Sequence, residues 1–322
     1  MPLFNTRVTE CLGIDYPIIA GAMGYVSLSQ FVAAVSNAGG LGLLPGATLW
    51  TDEELRREIR ETRSLTDKPF GVNVGLTARD HEKVNRDINV LIEEEVPVVE
   101  TAGHTPQPYV DRLKKAGIKV MHKVGTVRHA RAAERYGVDL VTIVGFEGEG
   151  HTSADEVSTF ILIPLAADVL KIPLIAGGGI GDARGFVAAR ALGAEGVMIG
   201  TRFMATHECA THPKLKQLLI QSRETDTVLS QLDVYRTHRV LRTLYVERIV
   251  EMERRGASIE DLLPLISGQR FKRAAETGEG LDEALIGAGQ VVGLIREVVS
   301  VKELIDEIVS GARAIYGRLH PD

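Results

Sequence analysis

Glycines gathered at the ends of two short apolar runs are the first residues here whose types and spacing imply chemistry. The runs are Ile175-Ala-Gly-Gly-Gly-Ile-Gly-Asp182 and Gly196-Val-Met-Ile-Gly-Thr-Arg202. A phosphate dianion is held by several converging backbone N–H groups with no Cβ in the way, and a following helix adds a favourable dipole. Gly177, Gly178 and Gly179, with Gly200 and Thr201, supply such a place. The alternative for the glycine triplet is a tight turn and nothing more.

Four further runs carry chemistry of their own. Gly21-Ala22-Met23 lets a flat ring approach the backbone closely, although methionine is more often a core filler. Asn73 ends the apolar run Gly71-Val-Asn-Val74, where a buried amide must find partners: a ribityl chain, a phosphate or a neighbouring loop. In His122-Lys123, the lysine ends an apolar run and can set positive charge beside the electron-rich edge of a reduced flavin; otherwise it is a surface lysine. The run Gly145-Phe-Glu-Gly-Glu-Gly150-His151 has the look of a loop wrapped around a ligand. His151 is the candidate general base or hydrogen-bond donor, because an imidazole titrates near neutral pH; the plain alternative is a structural or solvated histidine. His81, His104, His129, His207, His212, His238 and His320 have no comparable setting, and Glu147 and Glu149 read as loop solvation or main-chain caps.

These groups must be positioned by something regular. Eight short apolar runs recur at βα spacing: Pro17–Ala20, Leu41–Leu44, Phe70–Val74, Val98–Thr101, Lys119–Lys123, Leu140–Val144, Leu174–Ala176 and Gly196–Ile199. They do not alternate with polar residues, as expected of parallel strands covered on both faces. Helical patterns fill the gaps, most clearly at Ser29–Asn37, Asp52–Thr62, Glu82–Glu94, Pro108–Ala116, Val127–Tyr136, Phe160–Leu170 and Ala183–Leu192. Gly117, Gly137 and Gly193 stand where helix ends favour a left-handed residue. Eight such units predict an α/β fold, a (β/α)8 TIM barrel, with phosphate after strands seven and eight. An open doubly wound sheet is the runner-up, weakened because no G-x-G-x-x-G follows the first strand.

The stretch 206–285 breaks the pattern. It is charged, with Leu218, Leu229, Leu232, Val240, Leu241 and Leu244 as inward positions, and reads as an α-helical insertion after strand eight near the barrel mouth. The expected organisation is a barrel over 1–205, this insertion, and a helical segment over 286–322 that completes the barrel.

Composition narrows the class. Of the 322 residues 44% are hydrophobic and 25% charged, and the formal charge of −6 has no basic stripe, so no nucleic-acid partner is expected. Cys11 and Cys209 lack metal-ligand spacing, and no metal is expected. No apolar run is long enough for a membrane span and no apolar leader opens the chain, so a cytoplasmic protein acting on a small molecule is the expectation. The sequence does not fix the oligomeric state, a homodimer being one option. No nucleophile elbow, H-E-x-x-H or Walker loop is present, which leaves hydrolase, zinc and P-loop readings without support.

Taken in order, Gly21-Ala-Met23, Gly71-Val-Asn73, His122-Lys123, Gly150-His151, Ala176-Gly-Gly-Gly179 and Gly200-Thr-Arg-Phe203 resemble the flavin-binding pattern of the nitronate monooxygenase family. The likeness extends through Ser267-Gly-Gln-Arg270 to Gly287-Ala-Gly-Gln-Val-Val-Gly293, and is greatest to bacterial members of the NADH:quinone reductase type. It implies non-covalent FMN at the barrel mouth, with NADH or NADPH as an electron donor. Gly21, Ala22 and Met23 would face the ring, and Asn73 and Lys123 its polar edge and ribityl chain. Gly177, Gly178, Gly179, Gly200 and Thr201 would take the phosphate, Gly150 and Gln290 would contribute further cofactor contacts, and His151 would act as base or proton donor. The implied reactions are nitronate oxidation or quinone reduction. Reduction or dehydrogenation of an acyl thioester is an alternative, in which Arg236, Arg239 and Arg242 could meet a carrier phosphate unless they form a solvated helix face. A non-redox lyase or isomerase on a phosphate-binding barrel is the alternative from another class.

Overall fold

Eight parallel strands close on themselves. In the computed structural model, which describes residues 3–77, 80–152, 155–233 and 236–319 (backbone only at 151, 152, 231–233 and 236), they are β1 (Ile18–Ala20), β2 (Leu41–Pro45), β3 (Gly71–Leu76), β4 (Val98–Gly103), β5 (Lys119–Val124), β6 (Leu140–Val144), β8 (Leu174–Gly177) and β9 (Gly196–Ile199). Strand β1 pairs with both β2 and β9, which seals the barrel and removes the open-sheet alternative. All eight runs read from the sequence are strands.

Local chemistry explains the helices between them. The helix Asp52–Leu65 begins with a capping box between Thr51 and Glu54, carries three acidic residues in its first turn, and buries Leu55, Ile59 and Thr62 along one face. Gly117, Gly137 and Gly193 all have φ between 80° and 108°, as their helix-ending phrases require. The final helix, Val301–Leu319, packs on the helices Ala183–Ala191 and Ser29–Asn37 and so takes the eighth place in the outer ring.

Inside the barrel, Ile19, Leu41, Leu43, Val98, Met121, Leu140, Ile175 and Met198 form one apolar cluster with Val8, Leu12 and Ile14. The last three come from or follow the short helix Arg7–Leu12, a plug that the charged start of the chain does not advertise. A second, larger core lies between strands and helices.

Residues 206–285 hold the helices Pro213–Gln221, Leu244–Arg254, Ile259–Leu262 and Gly268–Thr277, and also a hairpin the helical reading did not include. Strands β10 (Thr227–Asp233) and β11 (Arg236–Leu241) pair antiparallel, and β11 pairs in turn with β7 (Gly150–Thr152), which follows β6. The third strand lies far away in sequence, so local periodicity could not reveal this sheet. Among the described residues no helix is long and apolar enough to cross a membrane.

Candidate active site

A cavity of about 1130 Å³ opens at the C-terminal ends of the barrel strands, where barrels of this kind place their ligands. Gly21, Ala22 and Met23 line it after β1. The Met23 amide donates to Ser27 Oγ at 2.8 Å, so this segment is pinned and offers a ring close apolar approach. Asn73 lines it from the middle of β3, which runs on to Leu76 and so does not end at the asparagine; Lys123 lines it near the end of β5, and Gly150 at the start of β7.

Strands β8 and β9 lie side by side, with Gly177 in register with Met198. Gly178 and Gly179 sit at φ of 92° and 70°, a left-handed conformation that turns successive amides one way. A Cβ on Gly178 would come within 3.0 Å of the Gly145 carbonyl. Gly200 differs: a Cβ there would meet no protein atom within 4 Å, although the residue lines the cavity. The Gly200 backbone is thus open to the cavity. Thr201 lines it too, its hydroxyl accepting from Gly289 N–H at 2.9 Å. Gly289 and Val291 are among the described lining residues and Gln290 is not; its amide donates to the Glu147 carbonyl at 2.9 Å.

Beneath the β3–β5 rim lies a polar group the sequence reading missed. Glu100, on β4 in register with Asn73, is 0% exposed. Its Oε2 accepts from Asn73 Nδ2 at 2.6 Å and lies 3.8 Å from Lys123 Nζ. Its Oε1 has no hydrogen-bond partner among the described residues, and neither does Oγ1 of Thr142, which is in register with Lys123. A carboxylate inside the apolar run Val98-Val-Glu-Thr101 was the available signal. His122 is also buried; its Nδ1 is 2.8 Å from Thr101 Oγ1, and burial pushes the imidazole down to about 4, leaving it neutral at pH 7.

Three histidines read as bland, His104, His129 and His238, line the cavity. His238 Nε2 is 3.5 Å from Glu149 Oε1, and His238 is the register partner of His151 across β11 and β7. The side chain of His151 lies outside the described residues. Glu147 is a main-chain cap, its two oxygens accepting from Thr159 N–H at 3.0 and 2.9 Å. Arg239 lies on strand β11 and not on a solvated helix face. It is 4% exposed, donates to the Phe146 carbonyl at 2.8 Å and stacks on the Phe146 ring, because its strand packs against the β6 loop. Arg242 meets Glu247 at 3.6 Å, and the Arg236 side chain lies outside the described residues. No group of three or more metal-ligating side chains occurs among the described residues.

The whole arrangement has known counterparts. The family described as nitronate monooxygenase matches residues 5–311. A (3aS,4S,5R,7aS)-5-hydroxy-7a-methyl-1-oxo-octahydro-1H-indene-4-carboxyl-CoA dehydrogenase of Rhodococcus jostii is 35% identical, over 97% of each chain. A protein named "Probable nitronate monooxygenase" from Staphylococcus saprophyticus is 30% identical, over 98% of this chain and 99% of its own. The structure of FabK from Thermotoga maritima superposes with a TM-score of 0.91 at 39% identity, over 98% of each chain.

Proposed function

The chain belongs to the nitronate monooxygenase family of flavin-dependent oxidoreductases, and from that premise we propose that it moves two electrons through non-covalently bound FMN at the barrel mouth. The observation that carries the FMN reading is the pair of glycine-lined strand ends on β8 and β9, with open space over Gly200. Bound FMN would accept a carbanion's electrons or a hydride and pass them on. Gly178, Gly179 and Gly200 would hold its phosphate, Gly21–Met23 would lie against the ring, and Asn73 and Lys123 would meet its polar edge. His151 would move the substrate proton, with His238 as its register partner across β7 and β11 and Glu149 just ahead of β7. Nitronate oxidation or NAD(P)H-dependent quinone reduction is the leading activity.

One observation favours a second reading, an acyl-CoA substrate. The cavity runs out along the helix Val127–Arg135, past Arg128, His129 and Ala132 to Tyr136, which is room for more than a nitronate. The Rhodococcus relative is named as a CoA dehydrogenase. Anaerobic titration of the yellow protein with NADH, NADPH, a nitronate and an enoyl thioester, with and without its CoA portion, tests both. Bleaching by the nitronate supports the first reading, and reoxidation of NAD(P)H-reduced flavin by the enoyl thioester only when it carries its CoA portion supports the second. A colourless protein that rejects FMN refutes both.

A further inference from the structure

Apolar side chains fill the barrel's interior below the cavity, from Ile19 on β1 to Met198 on β9. Glu100 interrupts that filling although packing does not call for it. Burying a carboxylate costs several kcal/mol unless charge and hydrogen bonds offset it. Here both come from residues that also line the cavity: Asn73 donates to Oε2 at 2.6 Å, and the Lys123 ammonium lies 3.8 Å from the same atom. The second oxygen is left without a partner among the described residues. One buried carboxylate therefore restrains two cavity-lining groups and opposes the charge of one of them.

We propose that Glu100 is a positioning residue that fixes Asn73 and Lys123 and offsets the Lys123 charge, so that the pair, rather than the lysine alone, sets the reduction potential of a flavin bound above them. The inference rests on the flavin reading above. Its sign is determined by charge. Two-electron reduction with uptake of one proton leaves the ring anionic, so a nearby ammonium favours the reduced form and a nearby carboxylate opposes it.

The test is the midpoint potential of the FMN-loaded protein, by dye-coupled reductive titration, for wild type, Glu100→Gln, Lys123→Met and the double variant. Glu100→Gln keeps volume and an acceptor for Asn73 while removing the charge. It should raise the ratio of reduced to oxidised flavin at fixed potential about tenfold, about 30 mV for a two-electron couple. Lys123→Met should lower it, and the double variant should return toward wild type. Glu100→Asp, which keeps the charge, should stay nearer wild type than Glu100→Gln does. If the amide variant does not fold, Glu100→Met removes the same charge and must move the potential the same way. A flavoprotein whose Glu100→Gln potential is unchanged or lower overturns this inference alone. A wild-type protein that binds no FMN overturns the flavin reading and the inference with it.

Discussion

Replacing Gly200 by alanine should separate cofactor binding from folding. The residue sits at φ −112° on the negative side, so an alanine adopts the conformation without left-handed strain. Its Cβ would touch no protein atom within 4 Å. The free protein should therefore be as stable as wild type, or gain about 0.4–1 kcal/mol from a less disordered unfolded chain. If phosphate occupies the space over this backbone, the methyl group excludes it. A loss of about 100-fold in FMN affinity, close to 3 kcal/mol, is the expectation. Thermal melts with and without FMN read both quantities. At FMN equal to 100 times the wild-type Kd, binding stabilises wild type by about 2.7 kcal/mol and the variant by only about 0.4. For a chain of this length those are melting shifts of about 4 °C and under 1 °C. Gly178→Ala is the contrasting control: at φ 92°, with the Gly145 carbonyl 3.0 Å from its Cβ, it should lower the melting point with or without cofactor. Undiminished FMN affinity in Gly200→Ala would refute the phosphate site; a less stable free protein would refute the vacant volume.

Three other outcomes are expected. His151→Ala should retain FMN and lose about 100-fold in turnover by stopped flow, and near-normal turnover would make the residue structural. His122, held near 4 against an ordinary 6.5, stays neutral in the fold while the unfolded chain takes up a proton, so its contribution is complete above about 6.5 and lost as pH falls toward 4. That loss is about 3 kcal/mol; His122→Gln should flatten urea stability between pH 7 and 4.5, and an unchanged slope would contradict the assignment. Glu147→Ala should uncap the helix Thr159–Ala167 at a cost of about 1 kcal/mol, seen as faster amide exchange at Thr159; unaltered exchange would count against the cap.

The barrel was legible because its strands are continuous apolar runs and its helix ends carry glycine, both local signals. Lys119–Val124 and Leu140–Val144 could be placed without knowing their neighbours. The phosphate-binding candidates were legible for the same reason: Gly177–Gly179 and Gly200 end strands adjacent in both sequence order and space. What escaped depends on distant partners. Glu100 is explained only by Asn73 and Lys123 on flanking strands. His238 gains its setting from a strand some ninety residues earlier, and Arg239, whose charge suggests a surface, is buried because the Phe146 carbonyl receives it. The helix Arg7–Leu12 is too short for periodicity to stand out, and its polar cap masks two residues that plug the barrel floor.

The β7–β11 pairing makes one wall of the cavity a borrowed part. The glycine-lined strand ends belong to β8 and β9, whereas the backbone carrying position 151 takes its seat from a hairpin supplied by a later stretch of chain. Exchange of that one contiguous cassette would therefore reshape the wall beside position 151 while leaving the eight barrel strands in place.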